Sequence, residues 1–266
     1  VKIALMDSGI GLLAAAAATR RLRPDADLLL SSDPDGMPWG PRTPADLTER
    51  ARAVARAAAE LRPDALIVAC NTASVHSLAT LRAELEPGIP VIGTVPAIKP
   101  AAAAGGRVAI WATPATTGSP YQRGLIRDFA AGVQVTEVPC PGLADAVEYA
   151  DEEAIARTVA AAAELTPADV TDVVLGCTHY ELVEESIRAA LAARTGGARL
   201  RYYGSAEAVA VQALRRIGAE PAPELPRTGG LTVLHSGRPS TLPDAALAYA
   251  EGRLLAGQDQ NATVGG

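Results

Sequence analysis

Residues 65–85 read ALIVACNTASVHSLATLRAEL, an apolar run that switches at Cys70 to small hydrogen-bonding side chains and then passes into an amphipathic stretch. The run 65–69 is predicted as a strand and 74–85 as a helix. The same grammar returns in residues 170–180, VTDVVLGCTHY, where apolar residues and one small residue precede Cys177 and a polar cluster. Outward from these two stretches, short apolar runs alternate with Ala-rich amphipathic segments along most of the chain. That alternation predicts an α/β fold with mainly parallel sheets flanked by helices. Further strands are predicted at 1–6, 27–31, 91–94, 107–112, 133–138, 170–175 and 200–203. Further helices are predicted at 12–22, 44–61, 120–130, 152–165, 183–194 and 205–217. The pattern breaks at Pro96-Ala97-Ile98-Lys99-Pro100 and around Gly204, which are candidate hinges, so two lobes are expected. Residues 221–230 are rich in Pro and Gly and read as a tail, and 258–266 are expected to fray.

Composition narrows the function classes. Of the 266 residues 48% are hydrophobic but only 3% are aromatic, with a single Phe, so a core must be built from Ala, Val, Leu and Ile. The formal net charge of -6 comes without a sustained basic run, which argues against nucleic acid as a partner. No apolar stretch is long and uncharged enough to suggest a membrane span, and a cytoplasmic protein is expected. Three cysteines, Cys70, Cys140 and Cys177, lack short metal-type spacing, which disfavours a disulfide framework or structural zinc. They read as free thiols.

Parallel sheets bind ligands at the carboxyl ends of their strands, where helix N-termini offer backbone N–H groups. Three polar clusters fall at such ends: Asp7-Ser8-Gly9, Cys70-Asn71-Thr72-Ala73-Ser74, and Cys177-Thr178-His179-Tyr180. In two related lobes, the matched settings of Cys70 and Cys177 would put one thiol on each wall of the intervening cleft. Such a pair suits inversion at a carbon, one group removing a proton while the other delivers one to the opposite face. A lone buried Cys is more often packing, and Asn71, Thr72, Ser74 and Thr178 could serve only as helix caps. The matched pair is what favours chemistry. His179, two residues after Cys177, reads as an acid/base helper. Cys140 precedes Pro141-Gly142 and reads as structural; His76 and His235 receive no role. No Gly-x-Gly-x-x-Gly or P-loop is present.

Together these clusters resemble the glutamate racemase family, within the wider aspartate/glutamate racemase superfamily, across nearly the whole chain. Asp7-Ser8-Gly9-Ile10-Gly11 resembles its opening motif, and Asp33 with Pro38-Trp39-Gly40-Pro41 its next loop. The two Cys clusters resemble its cysteine motifs, and residues 113–122 its Thr-rich loop. The resemblance implies two α/β lobes, 1–94 plus 208–266 and an inserted 95–207, with the active site in the cleft between them. It implies that Cys70 and Cys177 are the catalytic bases, with Asp7 supporting Cys70 and Glu148 and His179 supporting Cys177. It also implies that Ser8, Asp33, Trp39, Gly40, Asn71, Thr72, Thr116 and Thr178 bind a small amino-acid substrate. No metal, pyridoxal phosphate or nicotinamide is implied, and the oligomeric state stays open, a homodimer among the options.

The implied reaction interconverts L- and D-glutamate and supplies D-glutamate for peptidoglycan. The alternatives are racemisation of aspartate or another amino acid, or a ligand-binding relative without turnover. Four departures bear on that choice: Leu12 in place of a glycine, Trp39 in place of Tyr, the added charge of Pro34-Asp35, and the 96–100 stretch.

Overall fold

The computed structural model describes residues 1–197 and 199–257, so the expected fraying at 258–266 lies outside the described residues. Its strands are β1 (Lys2–Asp7), β2 (Asp27–Ser32), β3 (Ala65–Val68), β4 (Val91–Gly93), β5 (Val108–Ala112), β6 (Val135–Pro139), β7 (Asp172–Leu175), β8 (Arg201–Tyr203), β9 (Leu231–His235) and β10 (Arg238–Ser240). Its helices are α1 (Leu13–Leu22), α2 (Pro44–Ala59), α3 (Asn71–Leu85), α4 (Ile98–Ala103), α5 (Pro120–Phe129), α6 (Leu143–Glu148), α7 (Glu152–Leu165), α8 (Glu184–Arg194), α9 (Ala206–Arg216) and α10 (Ala250–Ala256). The chain divides into two compact units, Val1–Thr94 with the chain from Ala206 onward, and Val95–Ser205.

The first unit is built on a six-stranded sheet in the order β10-β9-β2-β1-β3-β4, parallel except for the β9–β10 hairpin. Helices cover both faces of its central strand, so β1 is a continuous apolar run rather than an alternating one; Ile3 to Met6 are fully buried. On one side, α1 buries every residue from Leu13 to Arg20. Its run Ala14-Ala15-Ala16-Ala17-Ala18 lets α9 and α10 approach closely, which is how a chain nearly without aromatics fills its interior. Over Leu29 and Leu66 lies α2, whose Leu47, Ala51, Val54, Ala55 and Ala58 form one buried stripe. Thr43 starts that helix by accepting the Asp46 N–H at 3.3 Å, with Pro44 in the first turn.

The second unit carries a four-stranded, wholly parallel sheet in the order β6-β5-β7-β8. Ile98, Ala101, Val108, Ile110 and Val174 form a buried cluster on it. Caps fix its helix starts: Ser119 accepts from the Gln122 N–H at 3.1 Å and Asp151 from the Ala154 N–H at 2.9 Å. Each unit therefore repeats one scheme. The first strand lies between the second and third, and the fourth lies beyond the third.

Two expectations need correction. The chain crosses between the units at Thr94–Val95, beside the 96–100 stretch expected as a hinge, but that stretch is not irregular throughout, because α4 begins at Ile98; Pro100 falls in its first turn, where a missing N–H costs no helical bond. Residues 221–230 do not end the fold, since Gly230 accepts from the Leu28 N–H at 3.0 Å and leads into β9, which pairs with β2. His235 accordingly sits at the end of that strand, its Nδ1 2.9 Å from Ser240 Oγ.

Arg20 ties the first unit together from inside α1. Only 3% exposed, it donates to the carbonyls of Pro24 (3.0 Å), Ala26 (2.7 Å) and Gly230 (2.8 Å), joining the start of β2 to the start of β9. Arg20→Leu removes the guanidinium donor from the Ala26 carbonyl and leaves Pro24 and Gly230 only their backbone donors, the Gly229 N–H at 3.2 Å and the Leu28 N–H at 3.0 Å; a buried acceptor left unsatisfied costs about 1–3 kcal/mol. Thermal unfolding followed by circular dichroism should show Tm lower by roughly 5–10 °C. An unchanged Tm would mean that water replaces the guanidinium at no cost.

Candidate active site

The order β2-β1-β3 sets three strand ends side by side in the first unit. Asp7 ends β1 and is fully buried, and Ser8 follows it. The Ser8 carbonyl accepts the N–H of Asp33, the residue after β2, at 3.1 Å. Beyond β3, the Ala69 N–H still reaches the Met6 carbonyl at 2.8 Å, so the chain leaves the sheet only at Cys70. Cys70 is extended (φ -144°, ψ 121°) and is the N-cap of α3, its carbonyl accepting the Ser74 N–H at 2.9 Å. The helix therefore starts at Asn71, three residues before the expected Ser74, and places Asn71 and Thr72 in its first turn. Backbone N–H groups of a first turn have no intrahelical acceptor and suit anionic oxygen. Ser74 and Thr94 brace this corner: Thr94 Oγ1 donates to the Val68 carbonyl at 2.7 Å, and Ser74 Oγ accepts the Thr94 N–H at 2.9 Å.

The loop after β2 is anchored by Asp33. Its Oδ2 accepts from Trp39 Nε1 at 3.0 Å and from Arg50 Nη1 at 3.2 Å, while Oδ1 accepts from Ser236 Oγ at 3.0 Å. Trp39 is buried, and Gly40 follows it half-buried. The ring that replaces a Tyr thus uses its single N–H on Asp33. Asp35 is exposed and pairs with Arg238 at 2.6 Å, an interaction that holds its carboxyl below the ordinary range. The charge added by Pro34-Asp35 is offset within the unit. Leu12, the other departure nearby, is buried in a short 3₁₀ turn before α1.

In the second unit, Cys177 occupies the place that Cys70 has in the first: two residues beyond the third strand, extended (φ -138°, ψ 136°), and capping a helical turn over Thr178–Val183. Gly176 before it must be small, because a Cβ there would lie 2.7 Å from the Trp111 carbonyl oxygen. Cys177 Sγ is 3.9 Å from His179 Nδ1, and His179 Nε2 is 2.8 Å from Glu148 Oε2. Glu148 is the last residue of α6, a helix that follows Gly142 in a left-handed conformation (φ 77°). The sequence pattern did not reveal that helix. In the tautomer whose Nε2–H donates to Glu148, Nδ1 faces the thiol as an acceptor. Thr178 is buried.

Thr116 lies in the loop after β5, where its Oγ1 accepts from Thr113 Oγ1 at 3.2 Å and its N–H reaches the Thr113 carbonyl at 3.0 Å. Glu137 steadies the end of this loop, its Oε2 accepting from the Gly118 N–H at 2.6 Å and Gln122 Nε2 at 2.8 Å. Cys140 is 1% exposed beneath Tyr180, whose hydroxyl donates to the Cys140 carbonyl at 3.3 Å. Burial, reinforced by the nearby Cys177, pushes the Cys140 thiol up from 9.0 to about 12. That is the environment of a packing residue.

Within the first unit the fold gathers Asp7, Ser8, Asp33, Cys70 and Asn71 at neighbouring strand ends; within the second it joins Cys177, His179 and Glu148 in one chain of contacts. Arg50, Ser236 and Glu137 had not been singled out. Only Ser236-Gly237, a turn-forming pair directly after the strand-like run 231–235, carried a local signal. Among the described residues no group of three or more His, Cys, Asp or Glu is arranged to hold a metal ion.

Comparison with known proteins shows the family. The family description Asp/Glu/Hydantoin racemase matches residues 11–213. A glutamate racemase of Pseudomonas putida (strain GB-1) is 37% identical over 222 residues, 82% of each chain. One from Roseiflexus sp. (strain RS-1) is 39% identical over 192 residues, 70% of each. Among solved structures, the glutamate racemase of Escherichia coli in complex with L-glutamate and the activator UDP-MurNAc-ala superposes with a TM-score of 0.78 at 28% identity, covering 93% of this chain and 91% of that one. With two like units, a thiol capping the turn after the third strand of each, and these relatives, the chain belongs to the Asp/Glu/Hydantoin racemase family.

Proposed function

We propose that this chain is a cofactor-independent glutamate racemase that interconverts L- and D-glutamate, with Cys70 and Cys177 as its two acid/base groups. The observation that carries the reading is the equivalence of the two thiols, each an extended N-cap residue two positions beyond the third strand of its own sheet. Relatives bearing the name glutamate racemase supply the substrate.

Inversion needs one thiol on each face of the α-carbon. One sulfur, as thiolate, takes the α-proton; the electron pair left on carbon is delocalised into the adjacent carboxylate; the other thiol then gives its proton to the opposite face. The two sulfurs have exchanged protonation states, and the reverse reaction exchanges them back. In this reading Asp7 supports Cys70, and His179 supports Cys177 with its imidazole oriented by Glu148. Ser8, Asn71, Thr72, Thr116 and Thr178, with the backbone at Trp39 and Gly40, hold the substrate's carboxylates and amino group. Hydroxyl, amide and N–H donors stabilise anionic oxygen without placing a cation beside the working thiolate. The product fits a role in supplying D-glutamate for cell-wall peptidoglycan. We place the enzyme in the cytoplasm; no described helix is long and apolar enough to cross a membrane.

Glutamate is preferred to aspartate on the relatives' names, and the pairing of Asp35 with Arg238 offsets the charge that had counted against an acidic substrate. In deuterated water the chain should take L-glutamate to zero optical rotation while deuterium enters at the α-carbon. Cys70→Ala and Cys177→Ala should each lower kcat by about 10³-fold. If neither rotation nor deuterium content changes with glutamate, a parallel screen with aspartate and neutral amino acids decides between another substrate and a chain without turnover.

The thiols should also separate chemically. Iodoacetamide at pH 8 and peptide mass mapping should find Cys177 alkylated and Cys140 untouched until denaturant is added, because Cys140 is enclosed and protonated. Equal labelling of the two in the folded chain would contradict the packing role of Cys140.

A further inference from the structure

We propose that Arg50 and Ser236 are positioning residues for substrate binding: they hold the Asp33 carboxylate so that its bond to the Trp39 indole fixes the Trp39–Gly40 backbone. The inference rests on the reading above, in which that backbone receives the substrate. It recasts Asp33 as a group acting through Trp39 rather than by touching substrate.

Three donors from three separate segments converge on one carboxylate that is 4% exposed: an indole N–H from the loop itself, a guanidinium from α2, and a hydroxyl from the β9–β10 turn. Each segment shows an adaptation to that meeting. In the loop, residue 36 is glycine, and any Cβ there would overlap both the Asp33 carboxylate and the Arg50 guanidinium. A side chain at 36 would push Arg50 off Asp33. In the hairpin turn, Ser236 keeps a side chain at φ 47°, a left-handed conformation that glycine adopts more easily. What that strained position delivers is the hydroxyl: it donates to Asp33 Oδ1 and accepts the Asp35 N–H at 3.3 Å.

The clamp is not enforced by packing on its outer side. Asp33, Asp35, Arg50, Ser236 and Arg238 line a half-open cavity of about 220 Å³, so Arg50 and Ser236 have room to swing away. Hydrogen bonds, not walls, then set where Asp33 points. Trp39 is enclosed in the first unit's core on its other faces, and its N–H to Asp33 fixes the height at which the chain passes into Gly40. Loosening the clamp should therefore weaken substrate binding and leave proton transfer at the two sulfurs largely intact.

Steady-state racemisation of glutamate by the full chain, with thermal melting run in parallel, tests this. Ser236→Gly removes the hydroxyl while relieving the left-handed strain, so folding should not suffer; KM should rise about tenfold, with kcat within about threefold of the parent. Trp39→Phe, which keeps a ring but loses the N–H, and Arg50→Met should act in the same direction. Ser236→Asn, an amide donor that tolerates φ above zero, should recover much of the parental KM. Because both changes act through one carboxylate, Ser236→Gly with Trp39→Phe should raise KM by less than the product of the single effects. A parent chain that does not racemise glutamate overturns the functional reading itself. An active parent whose Ser236→Gly and Trp39→Phe variants keep the parental KM, or lose Tm and kcat together with KM unmoved, overturns the positioning role alone.

Discussion

A residue that leaves a parallel strand in extended conformation and caps the helical turn behind it has its side chain at the strand's carboxyl end. It also has the free N–H groups of the first turn beside it. Cys70 and Cys177 both sit in that arrangement. It depends on small residues just before them, Ala69 and Gly176, because the chain there is still hydrogen-bonded along the central strand. At Gly176 the margin is narrow, the Trp111 carbonyl lying where a Cβ would go. Once a sheet fixes such a corner, neighbouring strand ends can only add side chains around it. Those are Asp7 and Asp33 in one unit and the Thr113–Thr116 loop in the other.

The interiors follow from the same requirement. A sheet covered on both faces needs helices that lie flat on it, and with a single Phe in the chain the close fit is made by alanine. The five consecutive alanines of α1 are buried to the last, and the α2 stripe contributes three more. Such a core gains less per residue than one built of Leu and Phe. Specific polar ties therefore weigh more in holding it. Arg20 in α1 and Asp172 in β7, which accepts from Arg201 at 2.7 and 2.8 Å and from Tyr203 at 2.9 Å, are of this kind.

Much of this was legible in the sequence because it is local. Strands buried on both faces appear as apolar runs, and α7 begins and ends where expected because Asp151 caps it and Pro167 follows it. The two cysteines stood out because polar residues directly after an apolar run have few other uses. What escaped was set by distant partners. β9 is only five residues long and follows a Pro- and Gly-rich stretch, and its place in the sheet comes from β2, some two hundred residues earlier. Neither Arg50 nor Ser236 announces that it ends on Asp33, since nothing within a turn of either requires it. Trp39 was visible as an unusual residue, but the use of its N–H on Asp33 needed coordinates.

The two corners are alike in backbone and unlike in chemistry. Cys70 has a buried carboxylate, Asp7, at the neighbouring strand end, whereas Cys177 has an imidazole held by Glu148. The repeated backbone fixes where each thiol leaves its strand, and the groups beside it are set independently: Asp7 comes from the first strand of its own sheet, whereas His179 comes from the turn that Cys177 caps and Glu148 from the end of α6. Asp7 or the His179–Glu148 pair can therefore change without moving the strand end that carries the thiol.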